Sequence, residues 1–329
     1  MRKLNNKKDI FLLSIATLMV LVFFISAVCF VASLIQPEDV QSNKSQYEEK
    51  AFIKYDGKEY VLRDGIETYL VMGLDKFSGE IKSDSYNNDR LADFIMLIVV
   101  DKNNSTYSAV QLNRDTMAEV NILGVSGGKV GSVTQQLSLA HTYGNGKKVS
   151  CRNVADSVSK LLYNINIDDY ASVTMDAIPI LNDMVGGVEV TVEEDFTGVD
   201  NTLIKGEKVT LLGEHALNYV RARYGLVDST NETRMQRQRE YLNALLNKTK
   251  TYAEQDEEFA IRAADAMDPY LVSKHDSLKN MIETLSECEY KGIINIKGEA
   301  KIGKEYMEFY PNKDALCELV IELFCEEKK

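Results

Sequence analysis

The chain has 329 residues, with 50 acidic against 38 basic side chains, a net charge of −12 and only four prolines. The acidic balance argues against nucleic acid as a partner, because DNA binding rests on net basic surface, and so few prolines suit a compact mixed domain better than an extended stalk. Three histidines and five cysteines, at spacings that match no zinc pattern, argue against a structural zinc site.

Residues 1–9 carry Arg2, Lys3, Lys7 and Lys8, and residues 10–35 form an uncharged apolar run. That run exceeds the roughly 20 residues a helix needs to cross the hydrocarbon core. The basic flank predicts a cytoplasmic tail over 1–9, one transmembrane helix over 10–35 and an exported remainder. A cleaved signal peptide would have a shorter apolar core ending in a small-x-small site. Phe30-Val31-Ala32 is a poor match to that site, and Val28 before Cys29 does not suit a lipoprotein cysteine. The segment is therefore read as an uncleaved signal anchor, and the polar residues 36–50 as a linker. Residues 51–329 are expected outside the membrane, with Cys151, Cys288, Cys317 and Cys325 as buried free thiols.

Residues 52–55 and 59–62 flank Asp56-Gly57-Lys58, the signature of a hairpin. Strands are expected over 69–72, 94–100 and 107–112. The second is almost continuously apolar, as a central strand covered on both faces should be. Helices are expected over 132–143 and 150–163, the latter presenting Val154, Val158, Leu161 and Leu162 on one face. A short helix over 176–184, capped by Thr174 or Asp176, stops at Gly186-Gly187 before a strand over 188–192. A long helix over 231–248 presents Tyr241, Leu242, Leu245 and Leu246 to a core. A helix over 277–287, strands over 293–296 and 306–309 and a helix over 314–324 complete the chain. Strands interleaved with helices predict an α/β fold, an α-β-α sandwich around a mixed central sheet.

Five of the eleven arginines lie between Arg221 and Arg239. Arginine suits planar capture of phosphate oxygens, and its concentration on an acidic chain suggests a focused anion site. A solvated salt-bridge face is the competing reading. Three strand ends carry charge: Gly73-Leu74-Asp75-Lys76, Asp89-Arg90-Leu91-Ala92-Asp93 and Asn113-Arg114-Asp115-Thr116. Open α/β sheets place ligands at such ends. Asp75 and Asp93 together offer two carboxylates to one hard cation such as Mg²⁺, although a lone Asp is more often a turn or cap residue. Two carboxylates with several arginines are what phosphoryl transfer needs, because it depends on positioning and charge neutralisation. On the helix over 231–248, Arg234 and Gln238 share a face, with Arg237 beside them. Arg221 and Arg223 would diverge on a helix and point the same way on a chain extended after Tyr219.

From Tyr69 to about Leu246 the chain resembles the LytR-CpsA-Psr family of cell-wall phosphotransferases. The landmarks, in order, are G-L-D-K, A-D-F-I-M-L, N-R-D-T, G-G-V-E-V-T-V, L-x-G-E-H-A-L-N-Y-V-R-A-R and R-M-Q-R-Q. The resemblance implies transfer of a glycopolymer (teichoic acid, capsule or another wall polysaccharide) from a polyprenyl-diphosphate carrier to peptidoglycan at the bacterial cytoplasmic membrane. It also implies Mg²⁺ and an arginine-lined diphosphate site beside an apolar lipid tunnel. Carried over by position, Asp75 and Asp93 look like the metal carboxylates and Arg114 like the arginine of the R-D-T motif. Arg221, Arg223, Arg234 and Gln238 resemble the diphosphate-binding set, with Arg239 read as surface.

Two departures stand out. Where many members have arginine two residues before the second aspartate, this chain has Leu91, with Arg90 one position earlier as the candidate catalytic substitute. Where many have arginine two residues after the first aspartate, it has Phe77. Lys129 and His141 fall where the family's K-I-N-A-A-Y-A-Y-G-G stretch is only loosely matched, and His141 is read as a packed helix residue. Asp115, or a carboxylate freed from the metal, is a candidate proton acceptor, and the helices over 132–143 and 150–163 are candidate tunnel walls. A lipid-diphosphate binder without efficient transfer, acting in wall assembly, is the alternative function.

Overall fold

In the computed structural model, the described residues are 52–75, 88–222, 231–256, 258–273, 284–285 and 288–328. The expected tail, transmembrane helix and linker over 1–50 lie outside them. So do Arg223, Phe77 and the expected helix over 277–287 apart from Thr284 and Leu285. Among the described residues no helix is long and apolar enough to cross a membrane.

Strands β1 (Phe52–Tyr55) and β2 (Lys58–Leu62) form the expected hairpin, turning through Asp56 and Gly57 at positive φ. They lead into β3 (Ile66–Leu74), β4 (Ala92–Asp101) and β5 (Thr106–Leu112). A ribbon of β6 (Met117–Leu123) and β7 (Lys129–Gln136) is followed by a 3₁₀ helix, Leu137–Thr142, and α1 (Lys148–Leu161). Next come β8 (Asp169–Thr174), α2 (Ala177–Met184), β9 (Val188–Thr191), β10 (Lys208–Leu211) and α3 (Glu214–Arg221). Then follow α4 (Asn231–Gln255), α5 (Phe259–Met267), β11 (Leu271–Ser273) and β12 (Glu289–Asn295). The chain closes with β13 (Gly298–Ile302), β14 (Met307–Pro311), α6 (Lys313–Phe324) and β15 (Cys325–Glu327).

The central sheet has the order β11-β8-β3-β4-β5-β12. Strand β3 runs parallel to β8, and β5 parallel to β12, while β4 runs antiparallel between β3 and β5. Alternation along each strand divides its side chains between two layers. Leu70, Met72, Leu74, Ile95 and Leu97 pack with Val154 and Val158 of α1 and Val320 and Phe324 of α6. Val173 and Met175 pack with residues of α2, α3, α4 and α5 on the opposite face, including Leu181, Val220, Tyr241 and Ala263. The α-β-α sandwich with a mixed sheet follows from these two faces. Gly186 and Gly187, both at positive φ, end α2 as expected. Asp176 stands at its N-cap but makes no capping hydrogen bond.

One expectation is corrected. Residues 132–143 are not one helix: Val133 and Thr134 are β-branched and extend in β7, where they pair with Val120 and Glu119. Only Leu137–Thr142 turns, as 3₁₀. Of the two conformations open after Tyr219, the chain takes the helix as far as Arg221, and Ala222 is its C-cap. The four cysteines are buried and unbridged.

Candidate functional site

The parallel strands β3, β5, β8 and β12 all end at one edge of the sheet, where the antiparallel β4 begins. Asp75 follows β3 there, and Asn113-Arg114-Asp115-Thr116 follows β5. The β3–β4 register passes from Gly73↔Phe94 to Leu74↔Ala92. Asp93 is thus the extra residue of a β-bulge, a device that re-aims a side chain. The Asp75 N–H closes this edge by donating to the Leu91 carbonyl at 3.1 Å.

Asp93 is buried and faces two arginines. It ion-pairs with Arg114 Nη1, and its Oδ2 lies 3.6 Å from Arg234 Nη1. Arg234 Nη2 also donates to the Asp93 carbonyl at 3.4 Å and to Asn231 Oδ1. Asn231, the first residue of α4, donates through Nδ2 to Asn113 Oδ1 at 2.5 Å. The two asparagines therefore tie the helix start to the turn after β5. Arg221, at the last turn of α3, pairs with Asp75 at 2.6 Å and is the half-exposed member of the group. Gln238 is buried one helical turn beyond Arg234, with its amide between Gln111 and the Val220 carbonyl, both at 3.3 Å. The fold thus brings together Asp75, Asp93, Arg114, Arg221, Arg234 and Gln238, drawn from widely separated segments.

Arg90 lies at the same edge, near the carboxylates of Asp89 and Asp176 and the neutral thiol of Cys151, and burial lowers its pKa against the pull of the carboxylates. His141 Nδ1–H donates to the Arg90 carbonyl at 2.9 Å, and Asn88 Nδ2 donates to the His141 carbonyl at the same distance. His141 is fully buried, and burial pushes its pKa down to about 4, so it is a neutral packing residue that holds the Arg90 segment. It sits in the 3₁₀ turn.

Asp115 is also a framework group. It is buried, with its Oδ1 accepting from Gln136 Nε2 at 2.9 Å and lying 3.3 Å from Arg114 Nε. Its described contacts brace Arg114 and β7. Arg239 is half-buried rather than wholly on the surface: Nη1 donates to Gln111 Oε1 at 2.8 Å and Asn295 Oδ1 at 3.0 Å, pinning α4 to the ends of β5 and β12. Asn231 and Asn113 were not singled out in the sequence. Asn113 had a signal, as the residue opening N-R-D-T, whereas Asn231 had none beyond its place before the helix.

An apolar cavity opens beside this cluster, between the sheet and the α2–α4 layer. Its apolar wall includes Val71, Met96, Val173, Met175, Ile178 and Tyr241, and Gln238 is its polar member. Gly73, Phe94 and Val220 also line it, so the wall runs up to Asp75, Asp93 and Arg221 along the chain. Added as a side chain at Gly73, a Cβ would meet the Cβ of Phe94 at 2.9 Å. The expected tunnel walls over 132–143 and 150–163 lie elsewhere, because α1 packs on the other face of the sheet.

Among the described residues no group of three or more His, Cys, Asp and Glu side chains forms a metal cage. Asp75 and Asp93 offer carboxylates at neighbouring strand ends, the donor chemistry of a hard cation that keeps other positions for water and phosphate oxygens. Arginine forks engage both carboxylates, so a diphosphate entering here would compete with them for the same donors.

A model of the LytR_cpsA_psr family matches residues 30–260. Biofilm regulatory protein A of Streptococcus mutans serotype c is 28% identical over 202 residues, 58% of this chain and 46% of that protein. The polyisoprenyl-teichoic acid–peptidoglycan teichoic acid transferase TagU of Bacillus cereus is 29% identical over 168 residues, 51% of this chain and 50% of that protein. The chain spans about half the length of these curated relatives. Among solved structures, TagT bound to LIIa-WTA shares the fold, with a TM-score of 0.55 at 22% identity over 79% of this chain and 90% of that one.

Proposed function

The chain belongs to the LytR-CpsA-Psr family, and on that premise we propose that it is a membrane-anchored phosphotransferase acting outside the cell membrane. Its reaction would attach a polyprenyl-diphosphate-linked glycopolymer, a teichoic acid, capsule or other wall polysaccharide, to peptidoglycan. One observation carries this reading: an arginine–carboxylate cluster at the sheet edge adjoins, through Gly73, Phe94, Val220 and Gln238, an apolar cavity. A charged seat continuous with an apolar one matches a ligand that joins a diphosphate to a long hydrocarbon. The naming of TagU as a teichoic acid transferase supports the same chemistry.

In the proposed reaction a sugar hydroxyl of peptidoglycan attacks the sugar-proximal phosphorus. A new O–P bond forms, the bond to the bridging oxygen breaks, and polyprenyl phosphate leaves with that electron pair while the hydroxyl proton passes to water. Arg114 and Arg234, fixed by Asp93, would hold the oxygens of the transferring phosphoryl group. Arg221 and Arg223 would hold those of the leaving phosphate, and Gln238 would mark where the headgroup meets the hydrocarbon. Asp75 and Asp93 would hold Mg²⁺, which when bound supplies charge neutralisation at the diphosphate. Cleavage with water as acceptor would appear as a pyrophosphatase side activity.

The test is to incubate the full-length chain, in detergent, with a polyprenyl-diphosphate oligosaccharide, peptidoglycan and Mg²⁺. Polyprenyl phosphate should be released as the sugar becomes covalently bound to peptidoglycan. Asp93→Asn and Arg114→Ala should each lower the rate by about 100-fold or more, in line with the loss of a charge stabiliser. If the wild type releases no polyprenyl phosphate, or both variants keep full activity, the transferase reading fails. The position of Arg90, beside Asp176 and Cys151, favours a second reading as a lipid-diphosphate binder without efficient transfer in wall assembly. Tight binding of the donor without product would select it.

A further inference from the structure

Arg237 belongs to the arginine run, yet its contacts point away from the proposed diphosphate seat. The side chain is almost wholly buried and ion-pairs with Glu194. Its two terminal nitrogens donate to the carbonyls of Tyr219 and Ala222. The guanidinium also lies 5.2 Å from the ring centre of Phe196 and 5.9 Å from that of Tyr219, and the two rings stack on one another. Tyr219 and Ala222 flank the end of α3, where carbonyls run out of helical partners. The neighbouring Val220 carbonyl accepts from Gln238. Consecutive side chains of α4 therefore satisfy the terminal carbonyls of α3, and Arg221 sits between those held points.

We infer that Arg237, seated on Glu194, is a positioning residue that fixes the end of α3 and so aims Arg221 at the diphosphate. The inference rests on the diphosphate reading of the site above. Arginine is required for this role because one planar fork reaches two carbonyls while a third nitrogen meets the carboxylate. Lysine offers a point charge and no fork. The pair with Glu194 makes burial of the charge tolerable, since an unpaired buried guanidinium would be costly. Its function is thus to hold backbone rather than to touch substrate.

A double-mutant cycle tests this on the full-length chain in detergent, titrated calorimetrically with inorganic pyrophosphate in the presence of Mg²⁺. Arg237→Lys should weaken pyrophosphate binding by about tenfold when Arg221 is present, the size expected of coupled neighbours. Once Arg221 is replaced by alanine, Arg237→Lys should cause no further loss. Equal losses in both backgrounds, or no loss in either, would overturn the inference, because a residue that only stabilises the fold or binds anion independently acts additively. Should Arg237→Lys fail to fold, Glu194→Gln carries the same cycle, since it keeps the side-chain size and removes the charge. A wild type that binds no pyrophosphate sinks the diphosphate reading together with the inference. A wild type that binds, an Arg221→Ala variant that binds weakly and an Arg237→Lys variant that binds normally sink the inference alone.

Discussion

Asp93 owes its place to one extra residue in β4. The bulge between Gly73 and Leu74 leaves it without a cross-strand partner, and that lets a side chain at the sheet edge meet Arg114 and Arg234. Nothing in A-D-F-I-M-L announces a bulge, because a bulge is a property of two paired strands. The identity of Asp93 was legible as part of a motif, while its re-aiming was not. The same holds for Arg239, whose partners Gln111 and Asn295 come from two other strands. His141 yields a prediction at this scale. Burial lowers its pKa to about 4, below the roughly 6.5 of an unfolded histidine. Between those values the unfolded chain binds the proton more readily, so stability should fall as pH drops from about 6.5 to 4 and this contribution should flatten below. The full loss is about 3 kcal/mol by linkage. Chemical denaturation across that range should show a shallower pH slope in His141→Gln; an unchanged slope would mean that His141 is not buried neutral.

At the scale of elements, periodicity identified strands and helices wherever one face was clearly apolar. Helix α1 and the β4–β5 hairpin appear where the pattern put them. Residues 132–143 misled because Val133, Leu137 and Ala140 fall at helical spacing, and so few apolar positions do not distinguish a strand followed by a turn from a helix. Pairing with β6 decides it. The hairpin β13–β14 lies beyond the family match, yet it reaches the site: Phe309 N–H donates to the Asp115 carbonyl at 2.8 Å, and Gln136 Nε2 donates to the Met307 carbonyl at 2.7 Å. Gly298 is needed there, because an added Cβ would overlap the Phe309 ring and the Tyr310 carbonyl. Gly298→Val should therefore destabilise the protein by about 1–3 kcal/mol, the usual cost of overpacking. Thermal unfolding checks this, and a wild-type midpoint would show that the hairpin can relax.

The whole molecule sets the relation between the polar cluster and the apolar cavity. Alternation in β3 and β4 sends Leu70, Met72, Ile95 and Leu97 to one layer and Val71, Gly73, Phe94 and Met96 to the other. The arginines of α3 and α4 cover the edge where that second face ends. Met96 lines the cavity on the sheet side, so Met96→Trp should fill part of it. Binding of a long-chain polyprenyl diphosphate should weaken about tenfold or more as apolar contact is lost, while pyrophosphate affinity stays within about twofold. Parallel titrations with the two ligands read this directly, and equal losses for both would mean that the cavity does not hold the hydrocarbon.

By itself the sequence determined the family, the fold class and the identity of most groups in the cluster. Motif order and hydrophobic period are properties of neighbouring residues, and the types that bind cations and phosphate are few. Only the tertiary structure decided which arginines face the site and which brace it. Arg114, Arg221 and Arg234 meet carboxylates at the sheet edge, whereas Arg237 caps a helix and Arg239 pins another to two strands. All five carry the same charge and fork. What separates them is the partner that packing from distant segments brings within hydrogen-bonding range, and no local pattern encodes that distance.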